Sequence, residues 1–164
     1  MRMIKLVLAA GIALVFASGS AYAIKVQQKA EAKGDPADVW VIAGEAFCTI
    51  DSWHPAVAEC EETKEGDAVI RTLTLQDGGK IKEKLTGTEE LSYTYEITEG
   101  PLPVENYSSK LWVEPGDEPG TSVIFWESEF DAADGTTDEE AEGIITGILS
   151  DGVKGIAKNA EAAQ

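Results

Sequence analysis

The chain has 164 residues, 43% hydrophobic and 26% charged, with 30 acidic side chains against 13 basic ones and a formal net charge of −17. That length suits one hydrophobic core, and 7% aromatics, 16 Gly and only 6 Pro argue against a disordered, collagenous or disulfide-dense chain. The basic residues are scattered, so neither a nucleic-acid backbone nor an anionic membrane surface is an expected partner.

Residues 1–23 read as an export signal. Arg2 and Lys5 supply the positive start, Leu6 to Ala17 the apolar stretch, and Ala21-Tyr22-Ala23 the small-x-small cleavage site. Cleavage after Ala23 leaves one domain over residues 24–164, with 11 basic residues against 30 acidic and a charge of −19. The apolar run is shorter than the roughly 20 residues that span a bilayer, and no later segment is apolar enough to cross. A periplasmic location without a membrane span is therefore expected. In that oxidising compartment Cys48 and Cys60, 12 positions apart, are expected to form a bridge. Closing so short a loop contributes about 2–3 kcal/mol through loop entropy, and two buried free thiols are the alternative. Two sulfurs without paired C-x-x-C spacing, with a single His in the chain, serve zinc poorly, so no metal or cofactor is expected.

Ile24 to Lys33 is a weakly apolar first strand. Asp35 then acts as an N-cap with Pro36 at the first helical position, and Asp38 faces the positive helix end. Val39, Trp40, Ile42 and Ala43 give this helix its apolar side. A second short helix holds Cys48 to Trp53 and ends at Pro55. From Val57 to Phe130 the apolar period is two, as in strands with one dry face, and six strands are expected. A three-residue Asp77-Gly78-Gly79 loop would set Leu75 against Ile81 and Leu73 against Glu83, with Arg71 and Glu83 as diagonal neighbours. Leu91, Tyr93, Tyr95 and Ile97 line one side of the next strand. Tyr107, Leu111 and Val113 mark the one after, and Ile124, Trp126 and Phe130 share a face of the last. Ala141, Ile144, Ile145, Ile148, Leu149, Gly152 and Ile156 then repeat at three and four, forming an apolar stripe on a helix from about Asp138 to Asn159. Gly143, Gly147, Gly152 and Gly155 each lower its propensity by about 1 kcal/mol against Ala, so packing must hold it.

Several short stretches carry a resemblance: Val39-Trp40, Asp51-Ser52-Trp53-His54-Pro55-Ala56-Val57, Arg71-x-Leu73-x-Leu75, Gly78-Gly79, Leu102-Pro103-Val104, Tyr107 and Trp126-x-x-x-Phe130. The mature chain resembles the polyketide cyclase/dehydrase and lipid-transport superfamily, the START-like or birch-pollen-allergen-like group known as SRPBCC. The resemblance implies an α+β helix-grip fold. In it, a seven-stranded curved antiparallel sheet wraps a long C-terminal helix, two short helices follow strand one, and a cavity lies between sheet and helix. Trp-His-Pro-Ala-Val and Leu-Pro-Val are also similar to the periplasmic accessory proteins of methanol dehydrogenase, which implies a non-catalytic role beside a redox enzyme.

The expected cavity residues are Arg71, Leu73, Leu75, Ile81, Glu83, Tyr93, Tyr95, Tyr107, Leu111, Trp126, Phe130, Ile145 and Leu149. Charges facing a cavity must be paired or solvated, so Arg71 either orients an anionic or carbonyl-bearing ligand while Glu83 holds it, or forms a structural ion pair with Glu83. The tyrosines either offer hydroxyls to a ligand or fill the core. His54 lacks a Ser, Cys or Asp at triad spacing and reads as a capping or packing residue. No catalytic residue is assigned. Cyclase or dehydratase activity would require a cavity acid or base, Glu83 or a Tyr, with a shifted pKa. Glu127, Glu129, Asp131, Asp134, Asp138, Glu139, Glu140 and Glu142 run without a basic residue between them. They form either a docking face for a basic protein partner or a solvated, solubilising face. The resulting expectation is an exported protein that binds a small apolar or amphipathic molecule. An accessory role at a redox enzyme is the alternative.

Overall fold

A computed structural model describes residues 22–164, so the expected signal segment lies outside the described residues except for its last two positions. Strand β1 (Ile24–Lys33) leads into helices α1 (Pro36–Ala43) and α2 (Ile50–Trp53). Six strands follow: β2 (Val57–Glu65), β3 (Ala68–Leu75), β4 (Lys80–Glu89), β5 (Ser92–Glu99), β6 (Val104–Pro115) and β7 (Thr121–Ala132). Helix α3 (Asp138–Ala162) ends the fold.

The strands form one antiparallel sheet in the order β1-β7-β6-β5-β4-β3-β2. Only the step from β1 to β2 leaves its neighbour. It crosses through α1 and α2 to the opposite edge, where β2 exposes nearly all its residues and its Glu and Lys side chains discourage edge pairing. The sheet curves around α3, which packs chiefly on β1 and β7, and this is the expected helix-grip. Cys48 and Cys60 are bonded with their Cα atoms 5.5 Å apart, tying the turn before α2 to β2.

The β3–β4 register differs from the sequence expectation by one loop position. Gly78, not Gly79, takes the left-handed conformation with φ +89°, so the three-residue loop is Gln76-Asp77-Gly78 and the Leu75 N–H donates to the Gly79 carbonyl. Leu73 consequently faces Ile81, and Arg71 faces Glu83 directly rather than diagonally.

Helix α3 opens with a capping box. The Thr137 hydroxyl accepts from the Glu140 N–H, and the Glu140 carboxylate accepts from the Thr137 N–H. Its buried stripe is Ala141, Ile145, Leu149, Gly152, Val153, Ile156 and Ala160. Ile144 is 43% exposed. At about 100° per residue it falls outside the buried arc, beyond the margin set by Ala141, whereas Val153 forms the opposite margin and is buried. Two of the helix glycines are packing requirements. A Cβ on Gly152 would stand 2.2 Å from the Trp126 ring, and one on Gly155 would stand 1.9 Å from the Trp53 carbonyl oxygen. Gly143 and Gly147 face open space.

Candidate functional site

Arg71 lies on β3 with its side chain fully enclosed, and Glu83 on β4 is almost as deeply buried. Enclosed charges survive only if each is matched. The Arg71 Nε donates to Glu83 Oε2 at 2.5 Å, and its Nη1 donates to the Phe47 carbonyl and, at 3.4 Å, to the Tyr93 hydroxyl. The guanidinium lies 3.9 Å from the Phe47 ring centre and 5.1 Å from that of Tyr95. Burial pulls the Arg71 pKa down, but the Glu83 carboxylate, Tyr93 and Tyr95 outweigh it, so the group sits above its ordinary value. Burial pushes Glu83 above the usual carboxylate range and the Arg71 charge opposes that rise. Among the described residues the Arg71 Nη2 has no hydrogen-bond partner.

Beside this pair lies an apolar cavity of about 80 Å³ between sheet, α2 and α3. Its wall takes Leu73, Leu75, Ile81, Glu83, Tyr95 and Tyr107 from β3 to β6, Trp126 from β7, and Ile145 from α3. These eight are among the residues expected from the sequence. Arg71, Tyr93, Leu111, Phe130 and Leu149 are buried in the surrounding core without lining the space. Ile50, His54, Ala56, Val57, Ile97, Leu102 and Ile148, which are not among the residues expected from the sequence, complete the wall. Ile148 and Ile97 belong to apolar patterns visible in the sequence, whereas His54 and Ala56 enter from the turn between α2 and β2, where His54 bonds to the Ile148 carbonyl of α3.

The polar part of the wall is a hydrogen-bonded array. The Trp126 indole N–H lies 3.2 Å from the Tyr95 hydroxyl and 2.9 Å from Ser109 Oγ. Ser109 Oγ is 2.9 Å from Ser128 Oγ, which is 2.7 Å from the Tyr107 hydroxyl. Burial lifts Tyr95 well above the ordinary phenol value, and also raises Tyr93 and Tyr107, so all three keep their protons at neutral pH.

His54, 5% exposed, separates this cavity from an open outer groove of about 540 Å³ between the α2 turn and α3. Asp51, Asp151, Lys154 and Lys158 give that groove both signs of charge. The His54 Nδ1 accepts from the Ala56 N–H at 3.2 Å, which leaves Nε2 to carry the proton and donate to the Ile148 carbonyl at 3.1 Å. Burial lowers the His54 pKa, with the Arg71 charge adding to the effect, while the Ile148 carbonyl and Asp151 oppose it. The neutral ring packs edge-on against Trp126.

Several of the clustered carboxylates are engaged locally. Glu129 pairs with Lys25, Asp131 accepts from Asn106, Glu127 accepts from Gln27, and Glu140 closes the α3 cap. Asp134, Asp138, Glu139 and Glu142 remain exposed. Among the described residues no three His, Cys, Asp or Glu side chains gather closely enough to hold a metal ion, and no helix is long and apolar enough to cross a membrane.

The architecture recurs in solved structures. XoxI of Bacillus cereus shares 32% identity over 85% of this chain and 96% of its own, with a TM-score of 0.78. An uncharacterised protein of Bacillus thuringiensis shares 31% identity over 84% of this chain and 99% of its own, also with a TM-score of 0.78. A START superfamily protein of Mycobacterium smegmatis, at 11% identity and a TM-score of 0.70 over 85% of this chain and 99% of its own, shares the fold. No curated protein sequence matches the chain significantly. Residues 23–161 match the family described as polyketide cyclase / dehydrase and lipid transport, and the chain belongs to that family.

Proposed function

We propose that the protein is an exported binding protein that holds a small apolar or amphipathic molecule in the cavity between sheet and α3, and that it transforms nothing. The observation carrying this reading is the apolar enclosure itself, with His54 and Val57 shared between its wall and the outer groove. Both residues are buried and part the two spaces, so a guest enters from the groove when they shift aside. The buried Arg71–Glu83 pair supports a scaffolding role for Arg71, which does not line the space, while Glu83, held by Arg71, also forms part of the wall. Export is supported by the signal-like residues 1–23 and by the Cys48–Cys60 bond, which suits the periplasm. At about 80 Å³ the cavity suits a guest of only a few heavy atoms unless side chains yield.

Native mass spectrometry of the protein taken from its own cells tests the reading. A bound small molecule in the wild type, lost when Ile148→Phe fills the cavity, is the expected result. A guest retained by a folded Ile148→Phe variant, or no guest in either, contradicts it.

A second reading, an accessory protein that docks a basic redox partner, is favoured by the exposed Asp138, Glu139 and Glu142 at the start of α3. It also draws on the resemblance of Trp53-His54-Pro55-Ala56-Val57 to accessory proteins of that class. Such a complex weakens steeply with salt, because exposed charges are screened beyond roughly 10 Å at 0.1 M. Reversing Asp138, Glu139 and Glu142 to Lys spares the Glu140 cap and is expected to abolish association. Unchanged association contradicts docking through this face.

A further inference from the structure

We infer that the cavity selects a neutral guest carrying a carbonyl or other acceptor oxygen, and that the Tyr95 hydroxyl is the group that donates to it. The inference rests on the cavity-binding reading above and follows from counting hydrogens around the wall. Among the described residues, His54, Glu83, Tyr95, Tyr107 and Trp126 are the polar side chains lining the space.

Ser109 Oγ lies 2.6 Å from the Glu127 carbonyl oxygen, which only accepts, so the Ser109 hydrogen is committed there. Ser128 must then donate across its 2.9 Å contact to Ser109, and Tyr107 must donate across its 2.7 Å contact to Ser128. The Trp126 N–H is committed to Tyr95 and Ser109, and the His54 Nε2–H to the Ile148 carbonyl. Tyr95 therefore accepts from Trp126 while its own hydrogen has only the Tyr107 oxygen, 3.5 Å away, at the outer limit of a hydrogen bond. Among the described residues it is the donor of the wall without a good acceptor. Glu83 Oε2 is held by Arg71, and the carboxylate repels an anionic guest from the same space. A neutral acceptor oxygen satisfies Tyr95 and meets no such repulsion.

Cyclobutanone and methylenecyclobutane, which share a ring and differ in an exocyclic oxygen or CH₂, serve as probes, read by methyl NMR of Ile81, Ile145 and Ile148. The wild type is expected to bind the ketone up to about tenfold more tightly, the worth of one net hydrogen bond. Tyr95→Phe is expected to lower the ketone's affinity to the hydrocarbon's. Tyr107→Phe, whose hydroxyl is already committed, is expected to keep the preference. Trp126 retains Ser109 as a partner in Tyr95→Phe, which favours folding. A measurement without any variant is the carbonyl stretch of wild-type-bound cyclobutanone, expected below its value in hexane. An unshifted stretch, a preference that survives Tyr95→Phe, or equal binding of both probes by the wild type overturns the Tyr95 assignment alone. Failure of both probes to shift the methyls overturns the cavity-binding reading beneath it.

Discussion

Glu83 stands directly opposite Arg71 across β3 and β4, and the two charges meet inside a shell made by Phe47, Tyr93 and Tyr95. Removing one partner strands the other in the core. Glu83→Leu or Arg71→Met alone is expected to cost about 3–5 kcal/mol in denaturant unfolding. The double variant is expected to recover most of that loss, because no uncompensated charge remains. Additive losses would show that the pair is not coupled as the geometry requires.

The direct pairing was hidden from sequence by a single glycine. Gly78 and Gly79 are equally able to adopt a left-handed turn, and choosing between them moves the strand register by two residues, leaving the face unchanged but the partner different. The alternation of Arg71, Leu73 and Leu75 on β3, and of Ile81 and Glu83 on β4, was legible because a two-residue period needs no tertiary information. The contributions of Ile50, His54 and Ala56 were not legible. They depend on how the crossover through α1 and α2 lies against α3, which no local pattern encodes. The helix stripe was clear except at Ile144 and Val153, where the edge of an apolar arc is decided by the curvature of the surface it covers.

The glycines of α3 divide into two kinds. Gly143→Ala and Gly147→Ala are expected to stabilise the protein by up to about 1 kcal/mol each, since the added methyl meets nothing. Gly152→Ala and Gly155→Ala are expected to destabilise it by several times that amount, because the Trp126 ring and the Trp53 carbonyl occupy the space the methyl needs. Thermal unfolding of the four variants checks the division, and a similar response from all four contradicts it.

His54 is the chain's only histidine, so its ring proton titration is unambiguous by NMR. Burial lowers its pKa below the unfolded value of 6.5, so the unfolded state binds the proton more readily. The stability His54 contributes is therefore fully present above pH 6.5 and falls as pH drops through the lower folded-state pKa. Wild-type stability is expected to decline across that window more steeply than that of His54→Gln. A ring titrating above 6.5 would contradict the neutral donor role assigned to Nε2.

Xenon reports most directly on the cavity between sheet and α3, because it enters dry apolar spaces without a hydrogen-bonding partner. Diffraction from crystals held under xenon pressure is expected to show the atom between α3 and the sheet, against Leu73, Ile81, Ile145 and Ile148. Well-diffracting crystals with no xenon there, or with xenon only at the protein surface, would contradict an open cavity at this place.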